Sequence, residues 1–345
     1  MKKVHSAFIL AAGEGKRLRP LTNNLPKPLL PVFQKPLLTF AFDHLFELGI
    51  EHLALNARYL AKSFYEAFEL ELENPNFGVG QYAGKTISLF HEHVPLDTGG
   101  ALRNARSLLQ KGTFLLHNGD ILTDAPLQEL IDHHLRSASM VTLLLRHEGG
   151  AKNISYHQKS QLIEGFSGTW STLPLLPTSY SLPMVYTGVA LMEPQFLDWI
   201  PPQGPISIIP ILQKAIEKKQ KITGFLPAED YFWSDLGTMP SYLDTHLRIA
   251  HEEWVPSFLP KKQEQAWPQF IHPRANIDSS ARLEGTVVIG AHASLGAHAS
   301  LKNCILLPGA TVSPHSKLTH AIVDQNGTYQ VEEGCSSREI MASRS

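Results

Sequence analysis

The sequence predicts an α/β body followed by a short parallel β-solenoid, on three observations. From residue 5 to about 146, short apolar runs alternate with stretches of helical periodicity. Several of those runs end in glycines or polar residues, which places loops beyond the carboxyl ends of strands, where open α/β sheets hold ligands. From residue 271 onward a large aliphatic residue returns every six positions, a period that neither a helix nor a flat strand possesses.

Taken in order, the strand candidates are HSAFIL (5–10), HLALN (52–56), TISLFHEH (86–93), TFLLHNGD (113–120) and MVTLLLRH (140–147). Helical periodicity fills the gaps at 36–49, 57–70, 99–112 and 126–138. Strands separated by helices imply parallel pairing with right-handed crossovers. Residues 150–205, rich in Pro, Ser and Gly, read as strands and loops of a lid or substrate region. A helix over 207–220, a strand and a helix starting near Pro240 close this first domain, 1–250. The stretch 251–268 mixes proline with charge and reads as a linker. Beyond it, over 266–325, Ile271, Ile277, Leu283, Ile289, Leu295 and Leu301 recur every six residues. A second set, Ala275, Ala281, Val287, Ala293, Ala299 and Ile305, keeps the same period two positions earlier. One aliphatic per hexad suits a triangular solenoid of roughly three coils, with a one-residue slip near Leu307, Pro308 and Val312. Residues 331–345 read as a loosely held tail.

Composition narrows the function. With 43% hydrophobic residues, 345 residues can bury a substantial core in two domains. Thirty Lys and Arg against 32 Asp and Glu leave a formal charge of −2, with no basic run to mark a nucleic-acid face. Cys304 and Cys335 offer neither a disulfide framework nor a metal cluster, which fits a reducing compartment. The apolar stretch after Lys2 and Lys3 is too short for a signal peptide or a membrane span, so a cytoplasmic protein without membrane partners is expected. The 17 histidines are mostly scattered; HEH (91–93) and HH (133–134) lack ligand spacing, so they read as structural or solvent-facing.

Chemistry concentrates after the first strand, in VHSAFILAAGEGKRLRPLT (4–22). A dinucleotide fingerprint fails because Leu18 takes the third glycine position, and the phosphate loop of nucleotide hydrolases fails because only Glu14 separates its glycines. What remains is uncovered backbone amides with Lys16, Arg17 and Arg19, suited to a polyphosphate or, more blandly, a surface turn with solvated cations. Glu14 either pairs with Arg17 or is solvated. Downstream, Lys27 sits between two prolines that stiffen its support.

Taken together, LAAGEGKRLRPLTNNLPKPLLPVFQKPLL resembles the amino-terminal motif of the sugar-1-phosphate nucleotidylyltransferases. The resemblance implies a Rossmann-like mixed sheet and a left-handed solenoid. By matched position, Leu10, Ala11, Ala12, Gly13 and Gly15 would bind the nucleoside triphosphate, with Arg17 and Lys27 on its phosphates. PLDTGGAL (95–102) looks like the nucleotide-recognition turn, with Thr98, Gly99 and Gly100 near base and ribose. NGD (118–120) and WSDLGTMPSYL (233–243) resemble the elements whose aspartates, here Asp120 and Asp235, bind Mg2+. VYTGVALMEP (185–194) resembles the strand that touches the sugar, through Thr187 and Gly188.

The implied reaction is in-line attack of a sugar-1-phosphate oxygen on the α-phosphorus of a nucleoside triphosphate, releasing pyrophosphate. A phosphate nucleophile is already ionised, so the reaction needs cations and alignment rather than a strong base. The chain departs from the family at its E-K-P element, where LIEGFSGTW keeps Glu164 and Gly165 for the sugar but lacks Lys-Pro. The DTGG turn looks closest to members acting on N-acetylmuramate, heptose or mannose phosphates, and leaves guanosine and uridine both open. Two other readings are weighed. One is acyl transfer on the solenoid with His292, His298 or His315 as base, for which three coils give little room. The other is a non-catalytic regulatory subunit, which would be expected to lose a phosphate-binding cation or metal aspartate that this sequence keeps. The solenoid ends expose unpaired edges, so a homo-oligomer through them is expected.

Overall fold

The computed structural model describes residues 4–166, 180–261 and 266–332. The chain forms two compact units that interleave along the sequence: Met1–Gly13 with His44–Trp233, and Glu14–Asp43 with Ser234–Ser345.

The first unit is built on one sheet of eleven strands. In chain order these are β1 (Ser6–Leu10), β2 (His52–Ala57), β3 (Glu71–Asn74), β4 (Phe77–Tyr82), β5 (Lys85–His91), β6 (Phe114–Asn118), β7 (Val141–Arg146), β8 (Ile154–His157), β9 (Leu162–Phe166), β10 (Ser181–Met192) and β11 (Ile222–Phe225). Across the sheet they lie β7-β11-β9-β8-β10-β6-β1-β2-β5-β4-β3, with β7 also paired to β10. Where helices carry the chain over, pairing is parallel: β1 with β2 and β6, β2 with β5, and β7 with β11. Antiparallel pairing sets β10 against β6, β7 and β8 and forms the hairpins β3–β4 and β4–β5, where the chain turns back directly. The sheet is therefore mixed, not wholly parallel as the strand–helix alternation alone suggests.

Alternation along each strand divides the side chains between two faces. Among the described residues the α-helices are, in chain order, α1 (Leu37–Glu47), α2 (Ala61–Ala67), α3 (Asp97–Asn104), α4 (Arg106–Leu109), α5 (Leu127–Ser137), α6 (Ile208–Glu217) and α7 (Met239–His251). On one face Phe8, Ala54, Phe114, Leu116 and Leu143 are buried under α3, α4 and α6, which supply Leu102, Leu109, Ile211 and Leu212. The helix expected over 57–70 is shorter, Ala61–Ala67, and Glu69 takes a positive φ before the chain enters β3. The helix expected over 99–112 begins earlier, at Asp97, and breaks at Ala105.

In the second unit, residues 31–40 pack on α7 (Met239–His251) and on the start of the solenoid. Phe33 lies edge-on to Trp267 and Phe270, its amide donates to Nε2 of His246 at 3.0 Å, and the Tyr242 hydroxyl donates to the Pro31 carbonyl. A capping box starts α7: the Thr238 hydroxyl accepts from the Ser241 amide while the Ser241 hydroxyl accepts from that of Thr238, with Pro240 at the second helical position.

The hexads form stacked parallel strands, β12 (Asn276–Ile277), β13 (Arg282–Ile289), β14 (Ser294–Leu295), β15 (Ser300–Leu306), β16 (Thr311–Val312) and β17 (Lys317–Val323). Asn276 lies beside Ser294 and Arg282 beside Ser300, an interval of 18 residues, or three hexads. From Val287, beside Cys304, the interval becomes 17. The slip thus sits at Asn303 rather than near Leu307. Asn303 adopts a positive φ, and its Oδ1 accepts from the Thr286 amide at 3.0 Å, replacing the missing main-chain step. As a result Cys304 and Leu306, not Ile305 and Leu307, join the interior stack of Ile289, Leu295, Leu301 and Val312.

Candidate active site

The loop after β1 leaves the first unit at Gly13; the second opens at Glu14, followed by Gly15 with φ of 60°. A Cβ there would stand 3.1 Å from that of Lys27 and 3.0 Å from Thr22 Cγ2, so only glycine lets the loop lie against the Pro-Lys-Pro turn. Lys27 begins a single 3-10 turn after extended Pro26. Its side chain is 6% exposed and Nζ lies 2.9 Å from Oδ1 of Asp235. Arg17, 71% exposed, reaches to 3.8 Å from the other oxygen of the same carboxylate. Asp235 itself is 39% exposed, so Lys27 is fixed at the base while Arg17 and the carboxylate face solvent. A Cβ on Gly237 would meet both Arg17 and Asp235 within 3.0 Å, which accounts for glycine two residues after the aspartate. Glu14, 24% exposed, lies 3.2 Å from Lys16 and 3.5 Å from Arg19, while Arg17 reaches Asp235.

In the first unit, Leu10 ends β1, and its carbonyl accepts from the Gly119 amide at 2.8 Å, joining the glycine loop to the Asn118–Asp120 turn. Asp120 follows β6 and is partly exposed, and burial holds the adjacent His117 neutral, down to about 4, although the negative charge of Asp120 pulls the other way. Gly188, with φ of 90°, packs so closely on Asn118 that a Cβ would fall 2.6 Å from its amide nitrogen. Leu10, Asn118 and Gly188 thus gather at one sheet edge. Thr187 is buried, with its hydroxyl donating to the Leu144 carbonyl and its carbonyl accepting from Trp233 Nε1 at 2.9 Å. Glu164 is held by the hydroxyls of Ser155 and Ser181 at 2.9 and 2.7 Å, beside Gly165 on β9.

The Thr98–Gly100 turn is tied to the main chain of Ile206. The amides of Gly99 and Gly100 both donate to the Ile206 carbonyl, and a Cβ at Gly99 would meet that oxygen at 2.9 Å. This glycine pair is required by packing against Ile206 and Leu96. The Thr98 amide donates to Oδ1 of Asp97.

Two residues missed in the sequence lie behind these loops. The Ala11 amide donates to Oδ1 of Asn56 at 2.7 Å, and Nδ2 of Asn56 donates to Glu92 at 2.7 Å. Both side chains are buried. Asn56 is the penultimate residue of β2 with nothing in its neighbours to mark it, and Glu92 hides within HEH; the only available signal was a polar residue near the end of an otherwise apolar run.

A hard divalent cation takes a few carboxylate oxygens and keeps other positions for water and phosphate. Asp120 and Asp235 are both part-exposed carboxylates beside strand ends and suit such an ion as donors, each within its own unit. Among the described residues no group of three or more His, Cys, Asp or Glu gathers to hold a metal. His292, His298 and His315 lie on the solenoid with positive φ, and the rings of His298 and His315 stack at 5.1 Å.

Comparison with known proteins decides the family. Residues 6–155 match the nucleotidyl transferase family, and residues 266–340 match the GMPPB C-terminal domain. A mannose-1-phosphate guanylyltransferase of Mycobacterium tuberculosis is 28% identical over 311 residues, covering 89% of this chain and 80% of the relative. The chain belongs to the sugar-1-phosphate nucleotidylyltransferases. Another member, the mannose-1-phosphate guanylyltransferase catalytic subunit beta of Xenopus tropicalis, is 27% identical over 331 residues, 92% of this chain and 85% of its own. The UTP–glucose-1-phosphate uridylyltransferase of Synechocystis is 22% identical over 360 residues, 97% and 91% respectively. Among solved structures, HddC from Yersinia pseudotuberculosis complexed with GMP-PN superposes with a TM-score of 0.55 at 18% identity, covering 71% of this chain and all of that one, which shows the mixed α/β fold of the nucleotidylyltransferase. Among the described residues, no helix is long and apolar enough to cross a membrane.

Proposed function

We propose that this nucleotidylyltransferase transfers a guanylyl group from GTP to a mannose-type 1-phosphate, with UTP and heptose or N-acetylmuramate phosphates as the competing substrates. The observation that carries the reading is the grouping of Arg17 and buried Lys27 on the carboxylate of Asp235, two cations and a metal-type donor drawn from segments about 200 residues apart. The relatives named above act on mannose-1-phosphate or glucose-1-phosphate, and those acting on mannose-1-phosphate support the guanylyl choice.

In this reading the sugar phosphate oxygen forms a bond to the α-phosphorus as the bond to pyrophosphate breaks, and no proton need move. Arg17 and Lys27 offset the charge on the transferring and leaving phosphates. Asp120 and Asp235 would hold Mg2+, which supplies further charge neutralisation when bound. Main chain from Leu10 to Gly13 and at Gly15, with the turn at Thr98–Gly100, would receive the nucleotide, while Glu164, Gly165 and Gly188 face the sugar. The same reading includes a left-handed sense for the solenoid, a homo-oligomer through its ends and a cytoplasmic location. Pyrophosphate release measured with GTP, UTP and ATP against mannose-, glucose-, heptose- and N-acetylmuramate-1-phosphate tests it: fastest turnover is expected with GTP and mannose-1-phosphate, and preference for another pair reassigns the substrate.

A further inference from the structure

The polar contacts behind the nucleotide loops form a chain that links two segments far apart in sequence. It begins at the Ala11 amide, passes through Oδ1 and Nδ2 of Asn56 to Oε1 of Glu92, and leaves from Oε2, which accepts from the Leu96 amide at 3.4 Å. Leu96 opens the recognition turn, and its carbonyl accepts from Ile206, whose own carbonyl holds Gly99 and Gly100. The geometry fixes each role. Asn56 must present oxygen to Ala11 and nitrogen to Glu92, so its amide cannot flip without breaking both contacts. Glu92 must accept twice, which an ionised carboxylate does and a protonated one does less well. Both side chains are buried, at 4% and 3% exposure, where an unneeded polar pair would cost stability. Burial lifts the Glu92 carboxyl above its ordinary range, against the pull of the Asn56 and Leu96 hydrogen bonds and of the Arg58 charge, with Asp97 adding repulsion.

We propose that Asn56 and Glu92 are positioning residues that lock the Ala11 end of the glycine loop and the Leu96 end of the recognition turn into one template for the nucleoside triphosphate. The inference rests on the reading that both segments receive the nucleotide, and it goes beyond it by making their spacing depend on one buried carboxylate. Neither residue touches substrate; each acts through a main-chain amide.

Glu92→Gln keeps an acceptor for Asn56 but turns an amide donor toward the Leu96 N–H. The expected result is a KM for the nucleoside triphosphate raised about tenfold, with kcat and the KM for sugar phosphate within about twofold. The melting temperature should not fall, because a buried ionised carboxylate has been removed. The ratio of variant to wild-type KM should rise as pH rises through the elevated Glu92 range, a comparison in which titration of the nucleotide itself cancels. Asn56→Leu should raise the same constant further and speed hydrogen exchange at Ala11 and Leu96 together while Ile9 and Leu55 stay protected. A uniform loss across all kinetic constants with a lowered melting temperature would reduce the pair to scaffold and overturn the proposal. So would unchanged affinity for GTP and UTP by calorimetry in both variants. Calorimetry and exchange need no turnover, so a wild-type protein that binds nucleotide without transferring it would defeat the proposed function while leaving this inference to be decided on its own measurements.

Discussion

The eleven-stranded sheet and the solenoid both depend on parallel β pairing, yet they hold register by different means. In the sheet, helices carry the chain between parallel neighbours, and the strand ends carry the chemistry: Leu10, Asn56, Asn118 and Gly188 all stand at or beside them. In the solenoid each coil is its own crossover, and a small interior of Leu295, Leu301, Cys304 and Val312 sets the register. The sheet can spend polar residues at its edge because large aromatic and aliphatic side chains fill its faces. The solenoid has one aliphatic per hexad, so each interior residue counts for stability and few are spare for catalysis. Mutations in the two regions should therefore separate activity from stability.

The largest effect is expected from the charge centre. Lys27→Ala removes the buried cation beside Asp235, and the loss should raise the barrier by about 3 kcal/mol, about two decades in rate, with little change in melting temperature. Asp120→Asn should do the same. Steady-state pyrophosphate release checks both, and retained activity in either would remove that residue from the machinery.

Next comes the solenoid interior. Leu301 is fully buried within the central coil, so Leu301→Ala should cost about 3–4 kcal/mol of stability. Chemical denaturation reads that loss, and kcat at low temperature should stay near the wild-type value. A parallel fall in kcat would mean that the solenoid takes part in turnover.

These contrasts also show what the sequence made legible. The strands of the sheet were readable because a fully buried strand is a short apolar run bounded by turn residues, and the observed bounds of β1, β2, β5, β6 and β7 fall within about two residues of the expected ones. The hexads were readable because their period has no rival. Lys27, Arg17 and Asp235 were each found through a motif, and the structure brings these three together. The hairpin over 71–82 was lost because ELENPNFGVG follows a helix with no stop signal other than Glu69 in a left-handed conformation. The slip was misplaced because periodicity reveals a missing residue only when the next aliphatic arrives early, whereas the physical site is Asn303, a polar residue that repairs the gap with its own side chain. The Asn56–Glu92 pair was invisible for a related reason: a side chain bonded to distant main chain leaves no periodic trace.

Acid sensitivity sharpens the contrast on the side of the second unit. His246, on α7, is buried against residues 31–40, with Nδ1 donating to the Tyr242 carbonyl and Nε2 accepting from the Phe33 amide. Burial lowers it from 6.5 to about 4, so it is held neutral in the folded protein. Because the unfolded chain takes up the proton first, the stability it contributes is complete above pH 6.5 and is lost as pH falls towards 4, by about 3 kcal/mol. Denaturation midpoints of wild type and His246→Gln, compared between pH 4 and 8, should converge as the medium becomes acidic. A difference independent of pH would show that the imidazole acts only through its shape.

The smallest effect tests the slip itself. Asn303→Ala keeps the backbone length but removes the acceptor for the Thr286 amide and puts an alanine at a φ of 52°. Together these should cost about 1–2 kcal/mol. Asn303→Gly relieves the backbone part and should recover a share of that loss, while inserting one residue after Asn303 would restore an 18-residue interval from Val287 to Cys304 but stretch the one from Ser300 to Lys317 to 18 as well, passing the slip to the next coil. If the insertion proved harmless and Asn303→Ala cost nothing, the side chain would not be what closes the gap, and register in this coil would rest on the aliphatic stack alone.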